Sequence, residues 1–411
     1  MYAAGVRVPF EFGPLAFVAL GVCLGACSGL TPGLHVNTLA VLLAAAAPLV
    51  PGPARGVGVA ILAAGVVHST LDVVPALSLG VPDAAMAASA LPGHRLVLAG
   101  RGREALRLSA LGSGAAALGA CLLGWPLTRL VRPYAHLVDA HLPVLLAAVV
   151  VFLVLTEPTR RRRVGACIAF ALAGALGTLA LDAPTDALVG RGDLLTPAFA
   201  GLFGVPVLLA ALRGRGPPAQ ADAALTISPR RTALAALAGA VAGAAVSYVA
   251  GVSSAVAAIV ALAALPRFDP GDADRAFLVA TSGVNTSNTI FALFAFVSLG
   301  APHTGVAVAL DRSAAPLDLP LYVAAILLSA AVGVVLVVAV GERYLAAVRR
   351  LPQRWVVGGA LCVVVALAVV LAGPVGLGVL AAASAIGFVP PRFGACRVHL
   401  MGVLVVPLVL A

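Results

Sequence analysis

Long apolar runs separated by short polar punctuation dominate this chain. Residues 144–156, 233–264 and 356–372 carry no charge at all. The runs are continuous rather than alternating, which predicts spanning helices and argues against a β-barrel. At roughly 20 apolar residues per spanning helix and about a dozen per connection, 411 residues accommodate about 10 to 12 membrane segments or re-entrant pieces. The expected fold is therefore an all-α polytopic membrane protein. In the first half, segments are expected at roughly 108–128, 141–156, 164–181 and 196–212.

The punctuation repeats. Ser78-Leu79-Gly80-Val81-Pro82 recurs as Ser298-Leu299-Gly300-Ala301-Pro302, and Gly21, Gly25 and Gly33 correspond in order to Gly239, Gly243 and Gly251. Near the ends of the two halves, Gly201-Leu202-Phe203-Gly204-Val205-Pro206 aligns with Gly402-Val403-Leu404-Val405-Val406-Pro407. Helix breakers at corresponding places in two apolar halves point to a secondary transporter whose site lies between repeats. The division read from this is a first membrane repeat over 1–215, a linker over 216–231 and a second repeat over 232–411.

Charge sets the orientation. Apolar residues make up 62% of the chain and charged residues 10%, too few polar groups for a soluble surface. The net charge of +10 comes from 26 basic residues, all Arg, placed in short clusters between apolar segments rather than on one tail or face. That is the positive-inside pattern and not a nucleic-acid surface. Arg95, Arg101, Arg103 and Arg107, then 160–163, then Arg213, Arg215, Arg230 and Arg231 mark inner loops of the first half. Asp139, Asp182, Asp186 and Asp193 fall in the intervening outer loops. In the second half the bias swaps: 311–318 holds only Arg312 and Ala372-Gly373-Pro374 holds no charge, whereas Arg343, Arg349, Arg350, Arg354, Arg392 and Arg397 occupy the counterparts of outer loops. Two inverted-topology repeats with broken or re-entrant helices explain the swap. The first apolar run leads into Gly29-Leu30-Thr31-Pro32-Gly33 and is expected to be a membrane segment, not a signal peptide. The six cysteines form no CxxC pair and read as small packing residues, with no disulfide framework and no metal site.

Candidate chemistry sits where polar residues interrupt the apolar runs. The first segment is Thr31-Pro32-Gly33-Leu34-His35-Val36-Asn37-Thr38, with Gly251, Ser253 and Ser254 as its counterpart. A backbone broken at membrane depth must line protein or a water-filled cavity, and the N-terminus of the next helix attracts an anion. The second segment is His68-Ser69-Thr70-Leu71-Asp72, whose counterpart is Ser282-Gly283-Val284-Asn285-Thr286-Ser287-Asn288-Thr289. Its hydroxyls and amides suit a carboxylate and a small cation, although such groups also pack helices together in membranes. Candidate substrate-binding residues are thus Pro32, Gly33, His35, Asn37, Thr38, Ser69, Thr70, Gly251, Ser253, Ser254, Ser287, Asn288 and Thr289. Asp72, a carboxylate inside a long apolar run, and His68 are candidates for coupling to an ion. Leu91-Pro92-Gly93-His94-Arg95 and Pro270-Gly271-Asp272 read as turns. No nucleophile elbow, phosphate loop or paired catalytic carboxylates are present, so neither an enzyme nor a cofactor is expected.

The stretches GLTPGLHVNT (29–38), HSTLDVVPALSLGVPDA (68–84), LPGHR (91–95), TPAFAGLFGVP (196–206), GVSSAVAA (251–258) and SGVNTSNTIFAL (282–293) resemble the TctA family, the large membrane subunit of tripartite tricarboxylate transporters, and particularly its archaeal branch. The chain is shorter than typical bacterial members, and its second repeat has Ala250-Gly251 where the first has Pro32-Gly33. Ser287, Asn288 and Thr289 also look like the hairpin-tip motif of dicarboxylate/sodium carriers in the wider ion-transporter superfamily. The resemblance implies that such motifs, one per repeat, hold substrate carboxylate and cation. It also implies a small membrane partner and a soluble extracytoplasmic binding protein, neither of which this chain encodes.

The function expected is secondary transport of small organic anions, di- or tricarboxylates, across a cell membrane that the chain crosses many times. The drive would be an ion gradient (Na+ or H+) or the membrane potential. Two alternatives stay open at this point: an integral-membrane enzyme acting on a lipid, which would need clustered acidic, His or metal-binding groups, and a passive channel or scaffold.

Overall fold

The computed structural model describes residues 13–32, 34–79, 90–188, 192–212, 217–221, 224–249, 254–265, 269–300, 302 and 304–410. Every regular element among them is helical. In the first half these are α1 (Pro14–Gly29), α2 (Val36–Ala46), α3 (Ala54–Leu71), α4 (Val73–Leu79), α5 (Ala90–Leu98), α6 (Gly102–Val131), α7 (Ala135–Ala140), α8 (Leu142–Thr156), α9 (Arg160–Ala180), α10 (Leu195–Phe199) and α11 (Val205–Ala211), the last two joined by a π-helical turn over Ala200–Gly204. In the second half they are α12 (Pro229–Tyr248), α13 (Ser254–Ala263), α14 (Pro270–Leu299), α15 (Gly305–Arg312), α16 (Leu319–Arg350), α17 (Gln353–Gly387), α18 (Val389–Phe393) and α19 (Gly402–Leu410), with a 3-10 turn over Arg397–Met401 before α19. Six stretches of the described residues are long and apolar enough to cross a membrane, and five shorter apolar helices accompany them. The chain is a multi-pass, all-helical membrane protein.

The four first-half segments expected from the sequence coincide with α6, α8, α9 and the α10–α11 pair. Three readings change. LPGHR is not a turn: it lies within α5, where Pro92 falls in the first turn and costs no intrahelical hydrogen bond. The ring of His94 bonds the Leu77 carbonyl through Nδ1 at 2.7 Å, fastening α5 onto α4. Pro229, Arg230 and Arg231, in the stretch expected as linker, form the first turn of α12, which the Ser228 side chain caps by accepting from Arg231 N. The cysteines make no disulfide, and Cys23, Cys27, Cys167, Cys362 and Cys396 are exposed rather than packed inside. Cys23, Cys27, Cys167 and Cys362 lie on the outer faces of apolar helices, where a thiol is tolerated because lipid replaces the packing partner.

At the centre stand α3 and α14. Every residue of α3 from Gly56 onward is buried, and along residues 281–296 of α14 Asn288 alone is more than slightly accessible. Helix α1 packs along α3 and α12 along α14, while α16 lies on α3 and α6 on α14. The glycines that correspond between the halves make these approaches possible. A Cβ on Gly25 would lie 2.5 Å from the Ala64 carbonyl of α3, and one on Gly239 would lie 2.5 Å from the Ala280 carbonyl of α14. Gly21, Gly25, Gly239 and Gly243 are therefore close-crossing points inside helices, not breaks in them.

True breaks fall elsewhere. Between α1 and α2 the chain turns through Thr31 and Pro32. In α17 the backbone reverses at Gly373 (φ 61°, ψ −149°), a conformation that requires glycine. Pro374 has no N–H, so the Val370 carbonyl loses its helical partner. The Leu188 N–H takes that carbonyl at 2.9 Å, and Asp193 N bonds Leu371 O at 2.9 Å. The loop after α9 thus docks on the bend of α17. At the other end of α9, Arg161 Nη2 bonds Arg392 O at 3.1 Å, and Cys396 N bonds Glu157 Oε1 at 2.7 Å. The 21 residues of α9 hold these two contact zones roughly 30 Å apart.

The linker is tied down at one membrane face. Glu104, fully buried in the first turn of α6, accepts from Arg275 Nε at 2.8 Å, from Arg101 Nε at 2.5 Å and from Thr226 N at 3.2 Å. A buried carboxylate holding charged and neutral donors from three segments fixes α6, α14 and the linker to one another.

Candidate functional site

Each half contains the same local device. The first arm of its helical pair ends in a serine that reaches a polar side chain on the following central helix. In the first half Ser28 Oγ meets His68 Nδ1 at 2.9 Å. In the second, Ser247 Oγ donates to Asn288 Oδ1 at 3.0 Å and bonds the Asn288 carbonyl at 2.9 Å. Each hydroxyl also reaches a carbonyl of its own helix, Gly25 O at 3.1 Å for Ser28 and Gly243 O at 2.9 Å for Ser247, so it ties its helix to the central one while sharing its bonding capacity between the two.

Between α3 and α14 the two polar segments meet. Asn285 Nδ2 donates to Asp72 Oδ2 at 2.6 Å and to the Ser69 carbonyl at 3.0 Å. Asp72 is 4% exposed and Asn285 also 4%. Next to this crossing, Thr70 packs on Gly333 of α16 and Thr289 on Gly65 of α3. Ser282 donates to Ser109 of α6 at 2.9 Å, closing the network on the far side.

The expected breaks at these polar segments do not occur. Ser282, Asn285, Ser287, Asn288 and Thr289 all lie inside α14, which runs unbroken for 30 residues, so 287–289 do not form a hairpin tip. Across Asp72 the chain keeps right-handed helical angles (φ −59°, ψ −22°) between α3 and α4. The side chains spend their hydrogen bonds on preceding carbonyls or across helix interfaces: Ser69 and Thr70 both donate to Val66 O, at 3.1 and 2.7 Å. Backbone bonds survive because the hydroxyls share the i−3 or i−4 carbonyl instead of displacing its helical partner. Ser287 is fully buried against Gly243 of α12. Two side chains in this stretch keep an unspent donor: Thr286 Oγ1 is fully buried with no partner among the described residues, and Asn288, half-buried with its Oδ1 held by Ser247, makes no hydrogen bond through Nδ2 among them.

A second polar group surrounds the α1–α2 turn. His35 Nδ1 accepts from Asn37 N at 3.0 Å, capping α2. Its ring lies 5.6 Å from that of Phe199. Thr38, fully buried, shares a hydrogen bond with Thr196, which itself donates to Asp193 Oδ2 at 2.5 Å. Asp193 Oδ1 accepts from Leu195 N at 2.9 Å and so caps α10. Asn37 packs on Gly305 at the start of α15. Pro32 is half-buried in the turn, and Ser254 is buried at the start of α13. Gly33, Gly251 and Ser253 lie outside the described residues.

The structure therefore joins Ser69, Asp72 and Asn285 in one network and His35, Asn37 and Thr38 in another. His68 links the two regions, since its partner Ser28 closes the helix that leads into the α1–α2 turn. Residues that the sequence reading passed over include Ser28, Ser247, Asn285, Thr196 and Asp193. Asp193, read as an outer-loop charge, had a local signal: it stands three residues before Thr196 and two before the first residue of α10, the spacing of a capping carboxylate. No group of three or more His, Cys, Asp or Glu side chains suited to a metal occurs among the described residues.

The family model described as the tripartite tricarboxylate transporter TctA family matches residues 15–402. An uncharacterized protein of Methanocaldococcus jannaschii is 24% identical over 340 residues, which is 82% of this chain and 82% of that protein. No solved structure matches the chain.

Proposed function

The chain belongs to the tripartite tricarboxylate transporter TctA family, and on that premise we propose that it is the substrate-translocating membrane subunit, a secondary carrier for small di- or tricarboxylate anions. The family is one of transporters, and its tripartite name implies a substrate and partner subunits. For this chain the partners would be a small membrane subunit and an extracytoplasmic binding protein. The observation that carries the reading is Asn288: a half-buried amide in the middle of a buried helix, oriented by Ser247 through its oxygen, with its nitrogen unspent among the described residues. An amide donor held in a low-dielectric interior is suited to a carboxylate oxygen. His35, Asn37 and Thr38 at the start of α2, and Ser254 at the start of α13, would supply further donors, assisted by the positive ends of the two short helices. Asp72, with His68 nearby, would carry the response to Na+, H+ or membrane potential.

The inverted-repeat arrangement belongs to the same proposal. The α8–α9 loop meets residues 392–396, whereas its counterpart, the bend at Gly373, meets residues 188–193 near the opposite end of α9. The reciprocal contacts of corresponding loops at opposite ends of the bundle support inversion, as does the swapped Arg bias. In a cysteine-free background, single cysteines at Thr159 and Gln353 should be labelled from the same, cytoplasmic side. Labelling from opposite sides would exclude the inverted arrangement.

Transport itself is tested by counterflow. Proteoliposomes holding the chain, alone and with its partner subunits, are loaded with unlabelled citrate or succinate and placed in a trace of labelled substrate. A carrier gives a transient accumulation above equilibrium; a channel gives simple equilibration. Absence of overshoot for all carboxylates tried, with partners present, would overturn the carrier reading.

A further inference from the structure

Away from the central network, α6, α16 and the linker line an open pocket of about 190 Å³. It is lined by Arg103, Gln220, Glu342, Leu345 and Arg349, with Ala219 and Ala346 completing the wall. We propose that this pocket binds a phosphate-bearing anion, as presented by the headgroup of an anionic phospholipid at the Arg-rich membrane face.

Three observations lead there. First, the pocket is built and not an accident of loose side chains. Gln220 accepts from Gly102 N through Oε1 at 2.6 Å and donates through Nε2 to Val97 O at 3.1 Å and Pro218 O at 2.7 Å, so the linker wall is fixed. Ala221 N bonds Gly100 O at 2.8 Å beside it. Second, the charges do not balance. Two guanidinium groups face one carboxylate, and the ion pair between Arg103 Nε and Glu342 Oε2 is loose at 3.8 Å. Arg349 has no ion pair among the described residues, and both arginines keep partly exposed side chains able to turn toward a ligand. A guanidinium fork matches phosphate oxygens in paired hydrogen bonds, which ammonium or amide groups cannot do as well. Third, the location suits a headgroup. Arg103 stands in the first turn of α6 and Arg349 in the last turn of α16, at the ends of two membrane-spanning helices. Basic pockets between membrane helices at the positive-inside face are where lipid phosphates are captured.

Occupancy would have a structural consequence. A phosphate held by Arg103 and Arg349 bridges α6 of the first half and α16 of the second through one ligand. It would therefore hold α6 and α16 together independently of the central network.

The test uses the full chain purified in a mild detergent and measured by native mass spectrometry and thermal unfolding. Phosphatidylglycerol should bind and raise the unfolding temperature, and phosphatidylcholine should not. Arg349→Gln and Arg103→Gln should each weaken phosphatidylglycerol binding by about tenfold or more, the loss expected for a charge-assisted contact. Arg343→Gln, an exposed arginine on the same helix but outside the pocket wall, should leave binding unchanged. Inorganic phosphate forms the second arm. If it competes at millimolar concentration, with the same dependence on Arg103 and Arg349, the pocket serves a free phosphate compound; if it does not, the lipid headgroup is the ligand. Equal binding of the two lipids, or equal phosphatidylglycerol binding by all three variants, would overturn the proposal. None of these readouts depends on transport, so they stand apart from the carrier assay.

Discussion

Replacing Asn288 by aspartate should abolish carboxylate uptake while the protein remains folded in the membrane. The oxygen that Ser247 holds at 3.0 Å has an equivalent in aspartate, so the α12–α14 contact is retained. What changes is the other arm of the side chain, where an amide donor becomes an anionic oxygen. A carboxylate 4 Å from a bound anion costs about 4 kcal/mol at an effective dielectric of about 20, which is roughly a thousandfold in affinity. Asn288→Ala should be milder: a lost polar partner costs about 1–3 kcal/mol, or roughly 5- to 150-fold. Uptake into proteoliposomes, with monodispersity and unfolding temperature measured on the same preparations, separates the effects. Normal uptake by both variants would make Asn288 a packing residue and remove the main support for placing the substrate at α14.

Much of the architecture is legible in the amino-acid sequence. Continuous apolar runs fixed the spans of α6, α8, α9 and the α10–α11 pair, because a membrane helix must be apolar along its whole length. The turn at Thr31 and Pro32 and the reversal at Gly373 before Pro374 were visible as Pro–Gly punctuation, since those residues act on their own backbone. The glycine order marked the places where α1 meets α3 and α12 meets α14. The role of those glycines was not legible. A glycine that breaks a helix and one that admits a neighbouring carbonyl look alike in sequence, and Gly25 and Gly239 proved to be the second kind.

The candidate site was half legible for a related reason. Polar residues inside apolar runs announced themselves, but hydrogen-bond partners come from other helices. Ser282 is satisfied by Ser109 and Asn285 by Asp72, so no backbone break is needed to accommodate them. The sequence therefore marked the helices that carry the buried polar network and overstated their irregularity. It also could not tell which of the neighbouring polar residues presents an accessible donor, because that depends on Ser247 of another helix holding Asn288 Oδ1 and on the full burial of Thr286, whose hydroxyl has no partner among the described residues. Glu104 was missed because a carboxylate in the first turn of a helix reads as ordinary helix-end chemistry; its burial among Arg101, Arg275 and Thr226 is a tertiary fact.

Asn285→Leu should weaken the α3–α14 interface by about 1.5–3 kcal/mol, the range for a hydrogen bond to a charged group. Its amide serves both the Asp72 carboxylate, at 2.6 Å, and the Ser69 carbonyl, at 3.0 Å, and both are buried where water cannot replace it. Asp72→Asn tests the opposite partner. An asparagine at 72 still offers an oxygen to Asn285 Nδ2, so folding should be nearly unaffected, while Asp72→Ala should cost as much as Asn285→Leu. The unfolding temperatures of the three variants, with the double variant Asp72→Ala, Asn285→Leu closing the cycle, measure the coupling between the two residues. The same Asp72→Asn protein then decides what the carboxylate does in transport. If its charge answers the driving ion, as an ionisable group at membrane depth is expected to do, uptake by this well-folded variant should no longer respond to an imposed Na+ or H+ gradient, though exchange of substrate across the membrane should persist. Gradient-driven uptake at the normal rate would leave Asp72 as the acceptor that aligns α3 with α14, and the coupling ion would have to act elsewhere.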